Sequence, residues 1–235
     1  MREPENSLQH EQIIKKEWLP FSDVLQVFRS KQNWLLMLYS GLALSPLVIF
    51  GGLWGNPFLQ AAYHLDPMMA SSLVSLVFLG LGIGGPFFGI LSVRVSSRRN
   101  LMIYSSLMSS LSIILVLYCH PMPTFILGFL LFLFGFGLGA FSIVFVIGKE
   151  LNPIKLAGTT MAMINASDAL LDAITEPAIG KILDIFKDGI QLNGAHHFSL
   201  HAYHIALAIL PIYQIMGALL LLWVKDKRRG SPTST

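Results

Sequence analysis

Asn165, Asp168, Asp172 and Glu176 follow one another at spacings of three, four and four within a stretch that is otherwise apolar. At about 100° per residue, a helix gathers these four side chains within about 80° of one face. On insertion scales a carboxylate at the bilayer centre costs about 2.5 to 3.5 kcal/mol, so three on one stripe require water, a partner helix or a substrate on that side. Two chemistries suit the residue types. A carboxyl group that moves between dry and wet surroundings can take up a proton on one side and release it on the other. The same carboxylates could instead hold a cationic substrate directly. Asp168 and Asp172 lie deepest in the stretch and are the candidates for substrate or proton contact, with Asn165 as a hydrogen-bonding neighbour. Glu176 lies nearer one end and is a candidate for the mouth of the same pathway, as are Trp54 and Asn56.

Two further groups carry chemistry. His196, His197, His201 and His204 cluster, and the last three are spaced by four and three, a geometry in which two imidazoles can share an ion. A catalytic metal centre would need several such clusters converging on one face, and here there is one. The turn containing Gly89, Arg94, Arg98 and Arg99 is basic. Its arginines could pair with helix C-terminal carbonyls or with acids on neighbouring helices, latching one state of a moving bundle. They would also serve as a topology signal.

The elements that position these residues follow from composition. Apolar residues make up 54% of the 235 and charged residues 12%, against about 25% charged in an ordinary soluble domain. Six stretches, 34–56, 68–92, 101–119, 124–147, 159–184 and 203–224, are each long enough to cross about 30 Å of hydrocarbon at about 1.5 Å per residue. The expected fold class is an all-α membrane protein with six transmembrane helices, divided into a cytoplasmic linker over 1–33, a bundle over 34–224 and a tail over 225–235. Within the linker, 21–31 reads as an amphipathic segment with Val24, Leu25, Val27 and Phe28 on its apolar side. Ser45, Pro46, Gly51 and Gly52 interrupt the first span. Gly80, Gly84, Gly85 and Gly89, and again Gly135 and Gly139, give small-residue repeats that let helices approach closely.

A net charge of +3 could suggest nucleic acid, but the distribution of the charges argues for topology. All of the 16 Lys and Arg except Lys181 and Lys187 fall on one side of the expected spans. The positive-inside rule then makes both termini cytoplasmic, and no nucleic-acid partner is expected. A signal peptide is not expected, because 1–29 is polar and mixed in charge. The lone Cys119 excludes an intrachain disulfide and a thiolate metal framework. No nucleophile and base are arranged together, so neither an enzyme nor a cofactor is expected.

The basic turn resembles the loop signature of the major facilitator superfamily. In that signature a glycine is followed four residues later by aspartate, then by arginine or lysine, and then by a glycine with basic residues. Gly89, Leu91, Arg94, Arg98 and Arg99 match, whereas Val93 stands at the aspartate and Ser96 and Ser97 at the glycine and a basic residue. Segments 51–58 (GGLWGNPF), 80–86 (GLGIGGP), 149–153 (KELNP), 157–159 (AGT) and 176–184 (EPAIGKILD) strengthen the likeness. Together they are similar to the C-terminal six-helix half of the superfamily, in the subgroup of nutrient importers related to the phagosomal transporters of intracellular bacteria.

The resemblance implies a secondary active carrier, proton-coupled, for a small polar nutrient such as an amino acid, in a bacterial inner (plasma) membrane. Members generally have two six-helix halves, so it also implies a second bundle, either a missing N-terminal half or another copy of this chain. A different class of reading is a non-transporting membrane interaction subunit, or the remnant of a split transporter gene.

Overall fold

The structure, a computed structural model, describes residues 21–186, 191–192, 195–196 and 198–226. Helix α1 (Phe21–Arg29) is followed by α2 (Lys31–Pro46), which runs through a π-helical segment (Leu47–Trp54) into α3 (Gly55–Tyr63). Then come α4 (Pro67–Arg94), α5 (Arg98–Tyr118), and α6 (Thr124–Leu138), which a short 3₁₀ turn joins to α7 (Ile143–Leu151). Helix α8 (Ala157–Ile185) precedes a two-residue antiparallel pair, Gln191–Leu192 with Ala195–His196, and α9 (Leu200–Leu207) with α10 (Ile209–Leu221) completes the order.

Among the described residues, five helical stretches are long and apolar enough to cross a membrane: Lys31–Tyr63, Pro67–Arg94, Arg98–Tyr118, Thr124–Leu151 and Leu200–Leu221. Six long helical stretches thus stand where six spans are expected, and five of them have the apolarity. The remaining one, α8, has 29 residues, about 43 Å of helix at about 1.5 Å per residue. Its carboxylates and Lys181 set it apart from the other five. The first span differs from expectation in another way. Gly51 and Gly52 do interrupt the regular helix, as a π-helical segment, but the chain stays helical to Tyr63, beyond the expected end at 56.

The turns are marked by polar caps. Asp66 accepts hydrogen bonds from the N–H groups of Met68 and Met69 at 3.0 and 3.1 Å, with Pro67 pre-set for the first helical position of α4. Ser97 caps α5 through Asn100 N–H at 3.2 Å, and Ser199 caps α9 through Ala202 N–H at 3.2 Å.

Helices α4 and α6 pack backbone to backbone. A Cβ at Gly80 or Gly84 would run into the main chain of Phe136, one at Gly135 into Val77, and one at Gly139 into Gly84. Gly85 and Gly89, by contrast, look onto open space, so the small-residue seam is narrower than the sequence repeat. A second close approach joins α2 to α8, where a Cβ on Gly41 would lie 2.9 Å from Ser167 O.

Two apolar layers fill the bundle. One, built round Phe50, Phe58, Phe134 and Leu117, occupies the half remote from Lys31 and Asp226; the other, round Leu36, Tyr39, Met102 and Ile143, occupies the half near them. Of the expected amphipathic face, Val27 is buried with Leu156 and Met163, while Leu25 and Phe28 stay exposed. Residues 1–20 of the expected linker and 227–235 of the expected tail lie outside the described residues.

Candidate functional site

The site begins with a broken helix. Pro46 has no N–H, so Leu42 O loses the donor that an α-helix would supply. The next N–H, that of Leu47, bonds Leu44 O rather than Ala43 O, its usual α-helical acceptor. Both carbonyls are served from α10: the buried Gln214 amide donates to Leu42 O at 3.4 Å and to Ala43 O at 3.0 Å. A neighbouring helix thus supplies the backbone bonds that the proline removes.

Two serines on the same helix face the acidic stripe of α8. Ser40 Oγ donates to Asp168 Oδ1 at 3.0 Å, and Ser45 Oγ, beside the proline, donates to Asp172 Oδ1. Ser167 Oγ is 3.4 Å from Asp168 but 2.6 Å from Ile164 O, and a hydroxyl has a single hydrogen to give, so Ser40 is the effective donor. Both carboxylates are half-buried, at the edge of the α2–α8 seam. Thr175 and Tyr213, hydroxyls 2.7 Å apart, close the neighbouring contact between α8 and α10.

The structure brings some of the expected residues together and separates others. Asn165 is exposed on the same flank, and Glu176, half-buried, makes no hydrogen bond or ion pair among the described residues. Trp54 stands beside α8, with Gly180 next to its ring and Phe198 across from it at 6.3 Å between centroids. Its buried indole N–H has no acceptor among the described residues. Asn56 belongs elsewhere: its amide donates to Ser71 Oγ and to Pro67 O, tying α3 to the start of α4.

The basic turn is anchored on both sides. Arg98 pairs with Glu150 of α7 at 2.6 Å and donates to Ser92 O at 3.3 Å, while Arg99 reaches Leu222 O, just past α10, at 3.4 Å. Asp226 accepts from Ser97 Oγ at 2.6 Å and from Arg99 N–H at 3.2 Å. These are the two kinds of partner the sequence suggested, an acid on a neighbouring helix and a helix-end carbonyl. Arg94 is exposed and Gly89 is uncrowded.

The histidines are arranged differently from their spacing. His204 pairs not with His201 but with His120, from the end of α5, at 3.2 Å between Nε2 atoms. Ring centroids 5.3 Å apart and planes inclined by 25° describe two rings meeting edge to edge, so the pair shares one N–H···N bond. His201 packs on Phe186. The His196 side chain and His197 lie outside what the structure describes. Among the described residues no group of three or more His, Cys, Asp or Glu could hold a metal ion.

Ser40, Ser45, Gln214, Glu150, Asp226 and His120 were not singled out from sequence as site residues. Gln214 had a signal, a lone amide in an apolar span. Comparison with protein-family models and with curated proteins finds no match for this chain. Fold and site together define a helical membrane protein with an acidic, hydroxyl-lined seam on one flank.

Proposed function

We propose that this chain is one six-helix half of a secondary carrier for a small polar nutrient such as an amino acid, coupled to protons, with α8 as its sixth span. The observation that carries the reading is the pair of mid-helix carboxylates, Asp168 and Asp172, each held by a serine hydroxyl of the proline-broken α2 and each half-buried. Ionisable groups inside a membrane usually mark substrate or proton routes. The serine hydroxyls give the acids polar company on the side of α2, and the open side of the stripe is where a substrate path would run. Irregular backbone at membrane depth is a usual companion of such sites, since it is tolerated only against protein or a wet cavity.

A single bundle gives a single wall, and alternating access needs a second bundle to rock against. The partner is therefore an N-terminal six-helix half or another copy of this chain. The setting that fits the basic residues is a bacterial inner membrane, with the Arg98 end and both termini in the cytoplasm.

The test is uptake into proteoliposomes under an imposed pH gradient, with and without a six-helix N-terminal half. Uptake should need both halves and should be lost when Asp168→Asn and Asp172→Asn are combined. Uptake unchanged by the two substitutions sinks the assignment of the acids, and robust uptake by this bundle as a monomer sinks the half-carrier reading. Stable assembly with a partner and no transport would favour an interaction subunit.

A further inference from the structure

A groove of about 550 Å³ runs along the outside of α2 at the end of the bundle that carries the basic turn, lined by Lys31, Gln32, Trp34, Leu35, Leu38 and Trp223. Four of these, Lys31, Trp34, Leu35 and Leu38, follow the i, i+3, i+4, i+7 pattern and so form one stripe on the helix. From one end to the other the stripe rises about 10 Å, at about 1.5 Å per residue. Along that rise the chemistry passes from an ammonium, through an indole, to two aliphatic side chains. That is the order met in crossing a leaflet, from phosphate through the ester region to acyl chain.

The groove is built rather than incidental. Gln32 forms its floor and fixes the far wall, donating to Trp223 O at 3.1 Å and accepting from Lys225 N–H at 2.7 Å. Trp34 is fixed on the near side by its indole N–H, which donates to Phe28 O at 2.7 Å. Trp34 and Trp223 remain 44% and 64% exposed, so two rings stand open on either side of an apolar slot.

Charge at the mouth is one-sided. Lys31 lines the groove, is exposed and has no acidic partner among the described residues, while nearby Asp226 is committed to Ser97 and Arg99. The indole N–H of Trp223 makes no hydrogen bond among the described residues, which leaves a neutral donor in the lining of the groove that Lys31 also lines.

We propose that this groove binds one anionic phospholipid, with its phosphate at Lys31 and an acyl chain along Leu35 and Leu38 between the two indoles. The site needs only that the chain sits in a bilayer and is independent of whether the bundle transports anything. The Lys-bearing end shares its side with Arg98 and Lys149, which assigns the lipid to the cytoplasmic leaflet under the positive-inside rule.

Tryptophan quenching tests it. The full chain is reconstituted in phosphatidylcholine bilayers containing equal mole fractions of either brominated phosphatidylglycerol or brominated phosphatidylcholine. The anionic quencher should act as though enriched about fivefold at the protein, the effect of one lysine near an anionic surface. Lys31→Gln should bring it down to the phosphatidylcholine level, and the preference should vanish when Trp34→Phe and Trp223→Phe are combined, which leaves Trp18 and Trp54 as controls. Equal quenching by the two lipids overturns the proposal, as does a preference that survives either Lys31→Gln or the loss of both indoles. All three side chains changed are exposed, so folding is not at stake.

Discussion

Replacing Gln214 by leucine keeps the volume of the side chain and removes the only side-chain donor to Leu42 O and Ala43 O among the described residues. An orphaned buried polar group costs about 1 to 3 kcal/mol. Ala43 O, at 3.0 Å, is the stronger of the two bonds and Leu42 O, at 3.4 Å, the weaker. The expected loss is therefore about 2 to 3 kcal/mol, near the low end of two such penalties. At about 2 to 4 °C per kcal/mol for a chain of this size, the thermal midpoint in detergent should fall by about 5 to 10 °C. The sharper test is a double-mutant cycle with Pro46→Ala. Alanine restores an N–H at the position from which an α-helix bonds Leu42 O, so the second loss should be smaller in that background, with a coupling energy of about 1 kcal/mol. Strict additivity of the two changes refutes the reasoning, and so does a harmless Gln214→Leu.

Three other outcomes follow from the geometry. Gly135→Ala should lower the thermal midpoint through a cost of about 1 to 3 kcal/mol, because its Cβ meets the Val77 main chain, whereas Gly85→Ala, facing open space, should not. Breaking the Arg98–Glu150 pair by Glu150→Gln should cost about 1 kcal/mol or less in low salt and less still in high salt, as read by thermal unfolding at two ionic strengths; a salt-independent loss would contradict it. Replacing His120 by alanine removes its 3.2 Å bond to His204. The mobility of a spin label on the exposed, lone Cys119 should then rise, and an unchanged spectrum would contradict it.

Much of the fold was legible because apolar run length and helix length are the same quantity in a membrane. Both ends of α4 and α5 fall within about three residues of the expected spans, α6 begins at the expected Thr124, and the small-residue seam between α4 and α6 was visible as a spacing. Asp168 and Asp172 were legible for a similar reason, since a carboxylate in an apolar run stands out without any knowledge of its neighbours. Their donors were not. Ser40 and Ser45 lie 128 and 127 residues from the acids they bond, and only the packing of α2 on α8 pairs them. His120 escaped notice for the same cause: helical spacing grouped His204 with its sequence neighbours, and the nearest ring nitrogen came from 84 residues away. Asn56 shows the converse, a polar residue whose position by the rim suggested a mouth and whose amide is spent on an adjacent turn.

The two ends of the bundle are fastened by different forces. At the end with the basic turn, Arg98, Glu150, Ser97, Asp226, Gln32 and Arg99 stitch helices together through charge and hydrogen bonds. At the other end, Phe58 sits in a set of tilted and edge-on rings with Phe50, Tyr63 and Tyr203, and dispersion joins the helices beside the His120–His204 hydrogen bond. Ionic strength acts on the first and leaves the second almost untouched. The molecule therefore carries two fasteners with separate releases, and raised ionic strength should weaken the first, by about 1 kcal/mol or less, while the second holds.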